Sequence, residues 1–173
     1  MARDNLAHER WAVSRSGLAP GDHAVLVGHG PGVGLVLAAE RVRPGGRVIG
    51  VEPSPLMRKM AGRRVARRAR DVVEIRHGTA EDTGCASASM AAAISVNNVT
   101  LWDRPAGFAE LMRVLRPGGQ LVLIAHQRIL GDLVDVLPGE AEEAGFTDVV
   151  VSSDVPSTKA GPATGMVAGK PAQ

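Results

Sequence analysis

The sequence contains no tyrosine, only two phenylalanines and two tryptophans in 173 residues, and a single cysteine, Cys85. One cysteine excludes an intrachain disulfide framework and any cysteine-rich zinc site. The shortage of aromatic rings argues against RNA or single-strand recognition by base stacking, which needs an aromatic platform. No apolar run approaches the roughly 18–20 residues of a membrane span. The opening stretch MARDNLAHERW is charged and lacks the apolar centre of a signal peptide, so a cytoplasmic protein is expected. His8, His23 and His77 have no carboxylates at ligand spacing, so no metal is expected. What is present, 45% hydrophobic and 22% charged residues, suits one globular domain.

Charge is unevenly spread. The total is +2, yet residues 1–77 carry 14 basic and 7 acidic side chains, whereas residues 78–173 carry 6 and 11. Much of the excess lies in Arg58, Lys59, Arg63, Arg64, Arg67, Arg68 and Arg70. At helical spacing Lys59, Arg63, Arg67 and Arg70 form one basic face, opposite an apolar stripe of Met57, Ala61, Val65 and Ala69. A solvated helix face is the simpler reading; DNA, RNA or an acidic partner is the alternative.

Short apolar runs alternate with helix-like stretches. Runs at 23–27, 47–51, 72–76, 91–96 and 120–125 predict five strands, with a sixth at 146–151 and a seventh at 165–169. Proline-glycine turns introduce the first, second and fifth. Helices are predicted over 33–41, 55–70, 104–115 and 138–144, the last stopped by Gly145. Residues 1–19 read as a helical arm centred on 7–13 with Trp11 as its packing anchor, and residues 20–173 as the domain. Such alternation implies an α/β fold: a doubly wound, mostly parallel sheet of six or seven strands with helices on both faces. Ligands of such sheets bind beyond the carboxyl ends of the strands.

The segment Gly28-His29-Gly30-Pro31-Gly32-Val33-Gly34 follows the first strand with glycine at every second position. A dinucleotide fingerprint, G-x-G-x-x-G, fails here, because its third position falls on Val33 or Leu35. Pyrophosphate is therefore disfavoured, while bare amides at a helix start still suit a carboxylate. Twenty residues past Gly32 stands Glu52, directly after the second strand, where a carboxylate can accept two hydrogen bonds from a ribose diol.

These segments resemble class I S-adenosylmethionine-dependent methyltransferases, a Rossmann-like family: GHGPG after strand one, VEPS after strand two, GTAED after strand three, and Leu115-Arg116-Pro117-Gly118-Gly119 before strand five. The resemblance spans roughly residues 20–170 and implies seven strands with the last antiparallel, and S-adenosyl-L-methionine as cofactor. It implies that Gly28, His29, Gly30 and Gly32 wrap the methionine part and that Glu52, followed by Pro53, holds the ribose. Thr79, Ala80 and Glu81 would border the adenine, and Ser95, Val96 and Asn97 would face the sulfonium and the acceptor. Three positions depart from the family pattern. Leu26 stands where an acid commonly precedes the glycine loop, Ala91 where an Asp often begins strand four, and Thr79 where an acid often lies near the adenine.

Methyl transfer from a sulfonium requires a nucleophile held in line in a dry pocket, with a general base only when that nucleophile arrives protonated. His126, at the end of strand five, is the candidate base, and Asn97 the candidate orienting group; a hydrogen-bonded histidine capping a strand is the plainer reading. Asn98 and Trp102 are expected to shape the pocket or pack the next helix. His29 is expected to contact the cofactor carboxylate, to cover the acceptor or to face solvent. The expected activity is methyl transfer to a small molecule. Alternatives are a cofactor-binding partner that has lost transfer chemistry, motivated by the missing acids, and a nucleic-acid methyltransferase, disfavoured because strand four ends in Asn97-Asn98-Val99 rather than an Asn-Pro-Pro-aromatic motif. No membrane partner is expected. Cover for the acceptor must come from residues 1–20, 98–107 or 127–138, or from a second subunit, which keeps a homodimer among the expected partners.

Overall fold

A computed structural model describes residues 5–172; residues 1–4 of the expected arm and residue 173 lie outside the described residues. Seven strands, β1 (His23–Val27), β2 (Arg47–Val51), β3 (Val73–Arg76), β4 (Met90–Val96), β5 (Leu115–His126), β6 (Thr147–Ser152) and β7 (Ala163–Gly169), form one sheet in the order β3-β2-β1-β4-β5-β7-β6. Pairing is parallel from β3 to β5, and β7 runs antiparallel to both β5 and β6. The central strands are apolar on both sides because both sides are covered. Leu35, Ala39, Ala61 and Val65, from α2 (Val33–Val42) and α3 (Pro55–Arg68), pack with α1 (Leu6–Arg15) over Leu26, Val48 and Ile94. On the other face Phe108 and Leu111 of α4 (Arg104–Val114), with Leu137 and Ala141 of α6 (Leu133–Glu143), cover Val25, Val51, Leu121 and Leu123. Strand order reverses direction at β1, so a crevice opens where β1 and β4 end side by side.

Local chemistry explains most boundaries. Ser54 caps α3 by accepting from Met57 N at 3.3 Å, with Pro55 at the first helical position; Asp103 caps α4 by accepting from Ala106 N. Differences from the sequence expectation lie mostly where a proline or a loop carries no clear period. The last helix starts at Leu133 rather than at 138, with Pro138 inside it: Leu137 and Ala141 extend the apolar stripe across the proline. A short helix, α5 (Gln127–Leu130), precedes it. Alternation lapses twice, because residues 77–89 connect β3 to β4 and residues 153–162 connect β6 to β7 without a helix. Among the described residues no helix is long and apolar enough to cross a membrane.

The N-terminal arm is an integral wall. Trp11 is 7% exposed, and its indole fills the space a side chain on Gly165 of β7 would need. His8, fully buried, lies 3.0 Å from the carbonyl of Pro156, in the β6–β7 loop, and Arg15 pairs with Asp154 of the same loop at 2.5 Å. Glu9 is buried against Gly34, whose missing side chain makes room for its carboxylate.

Burial lifts the Glu9 pKa from its ordinary 4.5 to about 8, with the Arg64 charge pulling the other way. The folded chain therefore binds this proton more tightly than the unfolded chain, and stability falls as pH rises from 4.5 toward 8. Burial depresses the pKa of His8 and of His29, so these two act oppositely and remove stability as pH falls below 6.5. Glu9→Gln is expected to flatten the decline in urea midpoint between neutral and mildly alkaline pH. Superimposable profiles of variant and parent would refute the assignment.

Candidate functional site

The loop after β1 runs through three glycines in the left-handed region, Gly28 (φ 61°), Gly30 (φ 52°) and Gly32 (φ 81°). Side chains resist that backbone, and at two positions space forbids them as well. A Cβ on Gly28 would overlap the Asn98 amide, and one on Gly32 would approach the Ala61 Cβ to 2.8 Å. Gly32 caps α2, so bare amides and a helix start face the crevice together.

Glu52, at the end of β2, is 7% exposed. Its Oε2 accepts from Gly30 N at 3.0 Å and its Oε1 from Ser54 N at 3.0 Å. Each carboxylate oxygen can accept a second hydrogen bond. The group is thus held in one orientation while still able to accept from a pair of hydroxyls.

Gly28, Glu52, Pro53, Thr79, Ala80 and Glu81 line one cavity of about 140 Å³. Its remaining wall is Val27, Asn98, Leu101 and Trp102, of which the sequence suggested only Asn98 and Trp102 as shaping residues. Glu81 is partly committed elsewhere, since Oε1 accepts from Asp103 N at 2.8 Å. A fixed carboxylate, an apolar slot beside an indole and a loop stripped of side chains fit a nucleoside carrying an amino-acid tail.

Asn98 ties the cavity together. Its Nδ2 donates to the carbonyls of Val27 (2.8 Å), Gly28 (3.1 Å) and Val96 (3.3 Å), and its Oδ1 accepts from Ser95 Oγ (2.7 Å) and Trp102 Nε1 (2.9 Å). One side chain therefore joins the ends of β1 and β4 to the indole. The sequence signal was present, an amide two residues past the fourth strand and a glycine directly after the first, but only the folded structure shows that they meet.

Other expected site residues lie around this centre rather than in the cavity. The His29 ring turns inward: it is 5% exposed, Nδ1 lies 2.9 Å from the Gly30 carbonyl, and its edge occupies the space beside Gly50. It does not face solvent, the expectation held open for it. Ser95 and Val96 meet Asn98 as above. Asn97, at φ 60°, points its side chain toward α1: Oδ1 accepts from His126 N at 3.1 Å, and Nδ2 donates to Asn5 Oδ1 at 3.2 Å. The His126 ring is 3% exposed and 4.6 Å, centre to centre, from that of His8, and its Nδ1 is buried without a hydrogen-bond partner. Nε2 of His8 must carry the proton toward the Pro156 carbonyl, which only accepts. Arg58 parts from the rest of the basic cluster and turns back toward Glu52, whereas Arg63, Arg67 and Arg68 stay exposed on α3.

Asn98→Ala is expected to lower stability in urea unfolding by about 2–3 kcal/mol, because it strands several buried polar groups at once. Asn98→Asp should cost more, since it places carboxylate oxygens against three carbonyls. A neutral result for both would refute the tie.

Residues 25–123 match a family model described as a methyltransferase domain. The arsenite methyltransferase of Halobacterium salinarum is 36% identical over 107 residues, covering 61% of this chain and 27% of that protein. The nocamycin O-methyltransferase of Saccharothrix syringae is 34% identical over 105 residues, covering 60% of this chain and 38% of that protein. The chain thus spans well under half the length of these curated relatives. A SAM-dependent methyltransferase from Aquifex aeolicus superposes with a TM-score of 0.79 at 18% identity, over 97% of this chain and 92% of that one, a likeness of fold. The chain belongs to the methyltransferase-domain family, the class I S-adenosylmethionine-dependent methyltransferases.

Proposed function

We propose that this chain transfers a methyl group from S-adenosylmethionine to a small-molecule acceptor. The observation that carries the reading is the Glu52 carboxylate, anchored on two amides with lone pairs left over at the wall of a cavity. S-adenosylmethionine supplies a methyl group on a positively charged sulfur, reactive toward any lone pair presented in line. In this reading Glu52 accepts from the ribose hydroxyls, and the amides of the Gly28–Gly32 stretch receive the amino-acid part. Thr79, Ala80 and Glu81, with Pro53 and Trp102, enclose the adenine. Ser95, Val96 and Asn97 bound the acceptor side.

Two observations support a small acceptor. Helix α1 packs against β4 and β5, and Asn97, directly after β4, donates to Asn5 at the start of that helix, which covers this side of the crevice. Two curated relatives are named as methyltransferases of arsenite and of nocamycin, which supports the same reading. For an acceptor that arrives protonated, His126 is the base. Asn97 holds the His126 backbone in place.

One observation favours a second reading, binding without turnover. Leu26 and Ala91 are buried apolar residues, so neither position offers the family's carboxylate to a cationic cofactor. A third reading, a nucleic-acid acceptor, predicts affinity that collapses with rising salt.

Glu52→Ala is expected to weaken S-adenosylhomocysteine binding by about 1–3 kcal/mol in calorimetry, the scale of a lost charged acceptor. Unchanged affinity removes the ribose assignment. His126→Asn is expected to lower kcat on a hydroxyl acceptor about a hundredfold or more while leaving that affinity intact. Cofactor binding with no turnover across a metabolite panel would favour the binding-only reading.

A further inference from the structure

We propose that Arg58 is a positioning residue for the cofactor site, holding the Glu52 turn in the geometry that presents its carboxylate to the ribose. The proposal rests on Glu52 being the ribose acceptor. One nitrogen of its guanidinium donates to the carbonyl of Glu52 at 2.6 Å and to that of Pro53 at 2.7 Å. Both carbonyls lie beyond the last β2–β3 pair, Val51 with Arg76, so the sheet ladder gives them no partner there. The residue is gripped from two sides: Arg58 takes the main chain, while Gly30 N and Ser54 N take the carboxylate.

The placement follows from helix geometry. Ser54 caps α3 and Pro55 begins it, so Arg58 sits one turn in, where side chains lean back toward the helix start. A cation there opposes the helix dipole, whose positive end is at that terminus. No acid occupies the first turn of α3 to offset it. Charge-assisted bonds to two carbonyls supply the compensation. Lys59 and Arg63 on the same helix are exposed. Arg58 therefore differs from the rest of the basic cluster in what it touches.

A turn already held in its bound shape spares the ordering that binding would otherwise require. The test is a double-mutant cycle read by calorimetry with S-adenosylhomocysteine on the full chain: parent, Arg58→Met, Glu52→Gln and the double variant, with Arg58→Lys as the conservative control. Arg58→Met is expected to weaken binding about tenfold and Arg58→Lys about two- to threefold, because an ammonium can still reach the carbonyls. In the Glu52→Gln background the same changes should shift affinity less than about twofold. Equal losses in both backgrounds, or a lowered melting temperature with unchanged affinity, overturn the proposal. Should Arg58→Met not fold, the Arg58→Lys pair reads the same coupling. If Glu52→Gln itself leaves binding intact, the ribose assignment fails; if it weakens binding and Arg58→Met does not, only the positioning role fails.

Discussion

A single hydrogen bond, from the amide of Gly30 to the carboxylate of Glu52, joins the first two crossovers of the sheet across the crevice. The walls of the crevice are arranged around it. The loop can come within 3.0 Å of the acid only because its backbone takes left-handed turns that exclude side chains. The acid arrives correctly because Ser54 and Arg58 fix the turn behind it. Charge left in a buried setting is costly unless hydrogen-bonded, and both Glu52 oxygens are. The site is therefore organised before any ligand enters, with the cost of ordering met by main-chain donors.

A second organising element sits on the far side of the cavity. Asn98 satisfies carbonyls that end β1 and β4, where the ladder can no longer pair them, and uses its oxygen to fix an indole wall. Between Glu52 and Asn98 the cavity gains its shape from strand-end chemistry. Leu26 and Ala91 are buried and apolar, so the core runs unbroken up to the crevice, and the carboxylates that line the cavity are those of Glu52 and Glu81.

The sheet was legible in the sequence because its strands are short, continuous and apolar, the pattern forced on strands covered by helices on both faces. The reversal of β7 was not: alternation says nothing about direction, and that expectation came from family resemblance. Gly28 and Glu52 were legible as well, since glycine at every second position and an acid after the second strand have few other uses. Less visible were contacts between residues far apart in sequence. Nothing local in Arg58 separates it from its exposed neighbours, and nothing in His29 says that its ring folds under the loop. The start of α6 was missed because a proline inside a helix reads as a boundary.

Trp11, set into the notch at Gly165, brings the beginning of the chain against its penultimate stretch, more than 150 residues later. Contacts of such long sequence separation close late, after the intervening chain has been ordered. A ribosome emitting this polypeptide makes helix α1 long before the strand that receives its indole. Until that strand emerges, the Trp11 indole lacks the notch that it fills in the folded protein, so α1 must first settle on α2, β4 and β5 with its indole uncovered on one side.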